Sequence, residues 1–93
     1  MAVTVVPVVF DELAREVSAA VAETLATARK ERGVTFRELT ERTELSRAHL
    51  DRLLRGQTPM ELQELVRISI ALSLDPQIVM RDAWVLAQKK SRR

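Results

Sequence analysis

At 93 residues, with 46% apolar and 30% charged side chains, the chain has the composition of one globular domain, near the size at which a single core becomes marginal, and not that of a disordered segment. Cysteine is absent, which excludes disulfides and thiolate metal sites and fits a reducing cytoplasm, and the single histidine, His49, cannot build a metal cluster alone. The net charge of +2 is unevenly spread: residues 11–28 carry −3, 29–55 carry +3, 56–88 carry −2 and 89–93 carry +4, so the basic excess is central and C-terminal and suits a polyanionic partner.

Residues 1–10, MAVTVVPVVF, are apolar but have no basic start or small-residue cleavage site, and Pro7 interrupts them, so they read as an N-terminal arm and not as a signal peptide. No apolar run approaches the roughly 20 residues that cross a bilayer, and a soluble, cytoplasmic protein is expected. The β-branched run Val3-Thr4-Val5-Val6 gives the arm strand propensity. A lone strand in a helical domain is unstable, so the arm pairs with a two-fold mate, packs in extended form on its own domain, or stays mobile.

From Asp11 onward nearly every segment has helical period, and the expected fold is all-α with five helices over residues 11–88, followed by a basic, disordered tail at 89–93. Asp11 is the expected N-cap of a long first helix, about Glu12 to Arg32. Leu13, Val17, Ala20, Val21, Thr24, Leu25 and Ala28 recur there at spacings of three and four, and Gly33 is the stop. Thr35 and Glu38 form a capping box that opens a short helix with Leu39 inward, ending near Thr43. After a turn at Glu44 and Leu45, Ser46 caps a third helix in which Leu50, Leu53 and Leu54 face the core and Arg47, His49, Asp51, Arg52 and Arg55 remain polar, with Gly56 at its end. Thr58, Pro59 and Glu61 repeat the start signal for a fourth helix, Pro59 to Leu72, with Leu62, Leu65, Ile68 and Leu72 near one face and Ile70 hard to bury. Asp75 and Pro76 open the last helix, which runs past Trp84 and Leu86.

Two short helices joined by a tight turn, the second opening on a hydroxyl residue and studded with arginine, form the helix-turn-helix pattern. The first helix braces the second through leucine contacts, Leu39 against Leu50 and Leu53, so that the second presents its N-terminal end to the major groove. The segments RELTERTELSRAHLDRLLRG and PMELQELVRISIALSLDP, within Leu25 to Asp75, resemble the DNA-binding domains of the lambda repressor and Cro type, the xenobiotic-response-element family. That resemblance implies a five-helix fold and a sequence-specific regulator of phage or bacterial origin that binds duplex DNA as a homodimer: a Cro-like or immunity-type repressor, or an antitoxin-type autorepressor. By position it places Ser46 on a backbone phosphate, Arg47, Ala48 and Arg52 at base edges, and Gln57 and Thr58 in a backbone-contacting loop. His49 sits nearer the edge of that surface, where a phosphate contact, a bystander role and base readout all stay open. With Thr35, Phe36, Arg37 and Arg55 on the same side of the motif, these residues make up the candidate DNA-binding set.

Three positions depart from the family pattern. Phe36 stands where a phosphate-donating glutamine is common, and a ring cannot make that bond. Glu44 replaces the usual turn glycine, at a cost of about 1 kcal/mol where a positive φ is kept. Leu54 replaces a glutamate that often pairs with an arginine of the first helix, here Arg29, which leaves Arg29 for DNA or solvent. Candidate dimer contacts are the arm Val3 to Phe10, the long first helix, and the stretch Trp84 to Leu86 with Ile70; Phe36, Trp84 and the leucines otherwise read as core. No carboxylate pair and no nucleophile with its base appears, so neither an enzyme nor a cofactor is expected. The competing reading is a protein interaction module of the same fold, binding a toxin, polymerase or another regulator through Phe36 and Ile70.

Overall fold

The computed structural model describes residues 7–91, with side chains from 11 to 90. Among them five helices follow in order, α1 Pro7–Glu31, α2 Phe36–Thr43, α3 Arg47–Leu54, α4 Leu62–Ala71 and α5 Pro76–Ser91, and there is no strand. The all-α, five-helix architecture expected from periodicity is the one observed.

Alanine, the strongest helix former, is the commonest residue in the second half of α1. Its start lies earlier than expected. Pro7 occupies the first helical position, where a fixed φ and a missing N–H are tolerated. Asp11 is therefore inside the helix and not at its cap, and residues 7–10 belong to α1 and not to an extended arm. Residues 1–6, on which the strand expectation chiefly falls, lie outside the described residues. At the far end Gly33 adopts φ +66, its N–H donates to the Lys30 carbonyl at 3.1 Å, and the Val34 N–H donates to the Arg29 carbonyl at 3.1 Å. This pair of bonds closes the last turn and redirects the chain toward α2.

α5 packs antiparallel on α1: Glu23 pairs with Lys90 at one end, and Ala28 and Glu31 share a groove with Leu74 and Ile78 at the other. Ala83 and Ala87, both fully buried, bring the two helices close. The remaining core is built from Leu25, Leu39, Leu50, Leu53, Ile68, Leu72 and Val79, so every helix contributes to one cluster. α2 and α4 exchange arginines across their C-terminal ends. Arg42 Nη1 donates to the Ala71 carbonyl at 2.8 Å, and Arg67 Nη1 to the Thr43 carbonyl at 3.2 Å. Each cation thus meets the negative end of the opposite helix, where unpaired carbonyls favour positive charge.

Several sequence expectations change here. α4 begins at Leu62, not Pro59, because the Glu64 carboxylate accepts the Glu61 N–H at 2.9 Å and makes Glu61 the N-cap position, while Met60 turns toward the core. Leu62 is consequently past the edge of the core and 75% exposed, while Ile70 is 63% exposed, as its spacing implied. Trp84 is 43% exposed and so only partly a core residue. Lys89 and Lys90 lie within α5, which continues to Ser91, so the basic end is helical over residues 89–91.

Candidate nucleic-acid interface

The motif is assembled from two caps and a three-residue turn. Thr35 Oγ1 accepts the Glu38 N–H at 3.1 Å, and Glu38 Oε1 accepts the Thr35 N–H at 3.1 Å, so two amides that α2 leaves unpaired are satisfied reciprocally. Hydrogen bonds from the Thr35 amide and hydroxyl, with help from Arg42 and against the effect of burial, hold the Glu38 carboxyl below its ordinary 4.5. α2 ends on Glu44, which takes φ 62 and donates its N–H to the Thr40 carbonyl at 2.9 Å. The left-handed conformation, for which glycine is the default residue, is held here by a glutamate. Ser46 then caps α3, its Oγ accepting the His49 N–H at 3.1 Å.

Leu39, Leu50 and Leu53 are fully buried in the same cluster, so α3 is braced from beneath by α2 as the leucine spacing implied. Its opposite side carries exposed Ser46, Arg47, Ala48, Arg52 and Arg55. These side chains differ in how far they are committed within the protein. Arg55 Nε donates to Asp51 at 3.1 Å, and on α2 Arg37 pairs with Glu41 at 3.5 Å; both are exposed i,i+4 pairs that water competes with easily. Arg52 has no ion-pair partner among the described residues. Gln57 is exposed and Thr58 half-buried after Gly56, where the Gln57 N–H donates back to the Arg52 carbonyl at 2.9 Å.

Two of the candidate residues are held from outside the motif. His49 Nε2 donates to Glu64 Oε2 at 2.5 Å, with the two side chains 29% and 12% exposed, which ties α3 to the first turn of α4. Glu64 thus uses one oxygen to cap α4 and the other to hold His49. Burial raises its pKa, but the bonds from His49 and the Glu61 amide, together with the charge of His49, outweigh it and leave the carboxyl below 4.5. Phe36 is half-buried against the core, with the guanidinium carbons of Arg29 and Arg47 at 4.4 and 4.5 Å from its ring centroid. Arg29 is accordingly not left for DNA or solvent. Its Nη1 donates to the Val34 carbonyl at 2.9 Å and its guanidinium stacks on the Phe36 ring, while its buried Nε has no hydrogen-bond partner among the described residues. Sequence reasoning missed this stack, whose members are spread over three helices, and it missed Glu64, although Glu61-x-x-Glu64 at a helix start is a legible capping signal.

A row of arginines beside a capped helix N-terminus favours an anionic, hydrogen-bonding surface. Ser46, Arg47, Ala48 and Arg52 supply a hydroxyl, two planar forks and a methyl within about two turns, the functional groups that phosphates and major-groove base edges require. Among the described residues no group of three or more histidines and carboxylates could hold a metal ion, and no helix is long and apolar enough to cross a membrane.

The helix-turn-helix domain family model matches residues 20–82, from the middle of α1 into α5. The crystal structure of the clp gene regulator ClgR from C. glutamicum is similar over 72% of this chain and 87% of that chain, at 30% identity and a TM-score of 0.68. No curated protein matches the chain.

Proposed function

Because the chain belongs to the helix-turn-helix domain family, we propose that it is a DNA-binding transcription regulator that lays α3 in the major groove and reads base edges with Arg47, Ala48 and Arg52. The observation that carries this reading is the exposed face of α3. Arg52 is uncommitted there, one turn beyond Ala48, while Leu50 and Leu53 anchor the same helix in the core. An arginine fork grips guanine O6 and N7 with two bonds, and such a pair discriminates by about 1–3 kcal/mol. Ser46, Gln57 and Thr58 flank the helix ends, where phosphates pass, and Arg37 and Arg55, each in an exposed ion pair that water competes with, can exchange their carboxylates for phosphate. Thr35 serves chiefly as the cap of α2.

In this reading two copies bind half-sites about 34 Å apart, as is general for such readers, and the protein acts as a repressor of the Cro or immunity type. Met80, Trp84 and Val85 on α5 are the exposed apolar residues best suited to join the copies. The test is anisotropy titration of labelled fragments of bacterial and phage DNA at two salt concentrations. A complex that resists nonspecific competitor at about 0.15 M salt and weakens steeply as salt rises supports the reading. Loss of all sequence dependence at that salt contradicts it. The alternative of a protein interaction module draws on Ile70, exposed beside Arg42 and Arg67 in a shallow hollow away from α3.

A further inference from the structure

Phe36 begins α2, and two cations from different helices meet on its ring. Arg29 belongs to the last turn of α1 and is fixed by its bond to the Val34 carbonyl, so it ties the ring to the body of the domain. Arg47 is the first residue of α3 and is exposed. Its guanidinium has no ion-pair partner among the described residues, and the ring is what it rests on. The nearest acid on the exposed face of α3, Asp51, is taken by Arg55 at 3.1 Å. The direction of Arg47 is therefore set by an aromatic face and not by a carboxylate. That matters chemically. A carboxylate would have to be stripped away before Arg47 could bind a base, whereas a stacked guanidinium keeps its N–H edge free.

We infer that Phe36 is a positioning residue: its ring orders the Arg47 guanidinium before DNA arrives and so sharpens preference at the base pair that Arg47 reads. The inference rests on the proposed reading of α3. A flexible arginine loses rotamer freedom on forming a bidentate contact, and a side chain already held in plane loses less. At an exposed site a cation–π contact changes an equilibrium by about two- to fivefold, and that is the expected size of the effect on the ratio between preferred and base-substituted sites.

The test has two arms. In the DNA-free protein, NMR of the arginine side chains should show Arg47 Hε shifted upfield by the ring in the wild type and restored to the position of Arg52 Hε in Phe36→Leu. On DNA, Phe36→Leu should lower the preference ratio about two- to fivefold. Phe36→Tyr, which keeps the ring, should restore it, and Phe36→Leu should add nothing in an Arg47→Ala background. Phe36→Met supplies the same comparison should leucine lower the melting temperature. An Arg47 resonance insensitive to Phe36→Leu, or an unchanged ratio in a folded ringless variant, overturns the inference, as does an equal loss in the Arg47→Ala background. If Arg47→Ala itself leaves every base preference intact, the reading of Arg47 fails and the inference with it. If Arg47→Ala relaxes preference and Phe36→Leu does not, the inference alone fails.

Discussion

Replacing Glu64 with alanine removes two bonds made by one carboxylate, the cap on the Glu61 amide at 2.9 Å and the tie to His49 Nε2 at 2.5 Å. A hydrogen bond to a charged group contributes about 1.5–3 kcal/mol, and loss of a helix cap costs about 0.5–2 kcal/mol. His49 is 29% exposed and water can partly replace its partner, so the low ends apply and the total is about 2 kcal/mol. For a domain of this size that lowers the melting temperature by about 8–16 °C. His49→Ala leaves the cap in place and should cost about 1.5 kcal/mol, and a double-mutant cycle between the two should return a coupling of about the same size. Thermal melts followed by circular dichroism at neutral pH measure all three. The pH dependence has a definite sign. Glu64 has its pKa lowered in the fold, so its contribution is complete above the unfolded value of 4.5 and is lost as pH falls through the folded value. The gap between wild type and Glu64→Gln should therefore be widest near neutrality and close below 4.5. A Glu64→Ala variant melting within about 2 °C of wild type would mean that neither bond of Glu64 stabilises the fold. A variant His49→Ala that keeps its stability but loses DNA affinity would make His49 a contact and not a strut.

Four further outcomes are expected. Arg47→Ala and Arg52→Ala should each relax preference at one base pair by about 1–3 kcal/mol, whereas Lys89→Ala weakens all sequences alike; binding to single-substituted sites distinguishes the two effects. Glu44→Gly relieves φ 62 and should raise stability by about 0.5–1 kcal/mol in chemical denaturation, without altering base preference. Leu53→Ala opens a cavity beneath α3 at a fully buried position and should cost about 2–5 kcal/mol by the same assay, with DNA affinity falling as the fold is lost. Trp84→Arg should halve the mass seen by light scattering if α5 joins two copies, while the melting of each copy changes little because Trp84 is 43% exposed.

What was legible in the sequence was local chemistry. The boxes and caps at Thr35–Glu38, Ser46 and Gly33 act over three or four residues, and a side chain three positions from an amide has few other things to do. Leucine spacing likewise identified the buried faces of α2 and α3, because a short helix has one stripe to hide. Contacts between helices were not legible. The resemblance puts His49 at the edge of the DNA surface, whereas its partner, Glu64, is 15 positions away on α4. Leu54 offers Arg29 no carboxylate, and the ring it stacks on belongs to another helix. At the start of α4 two capping signals overlap, Thr58 with Glu61 and Glu61 with Glu64, and the first puts the helix three residues too early. The second prevails because Glu64 is also held by His49.

The most direct test of α3 as the reading element is selection of bound sequences from a random duplex pool at about 0.15 M salt, run in parallel with wild type and Arg52→Ala. The wild type should enrich one short motif, repeated with two-fold symmetry about one helical turn apart, and Arg52→Ala should enrich the same motif with a single position in each half-site gone flat. A wild-type pool that stays random, or an Arg52→Ala motif identical to the wild type at every position, would contradict the account.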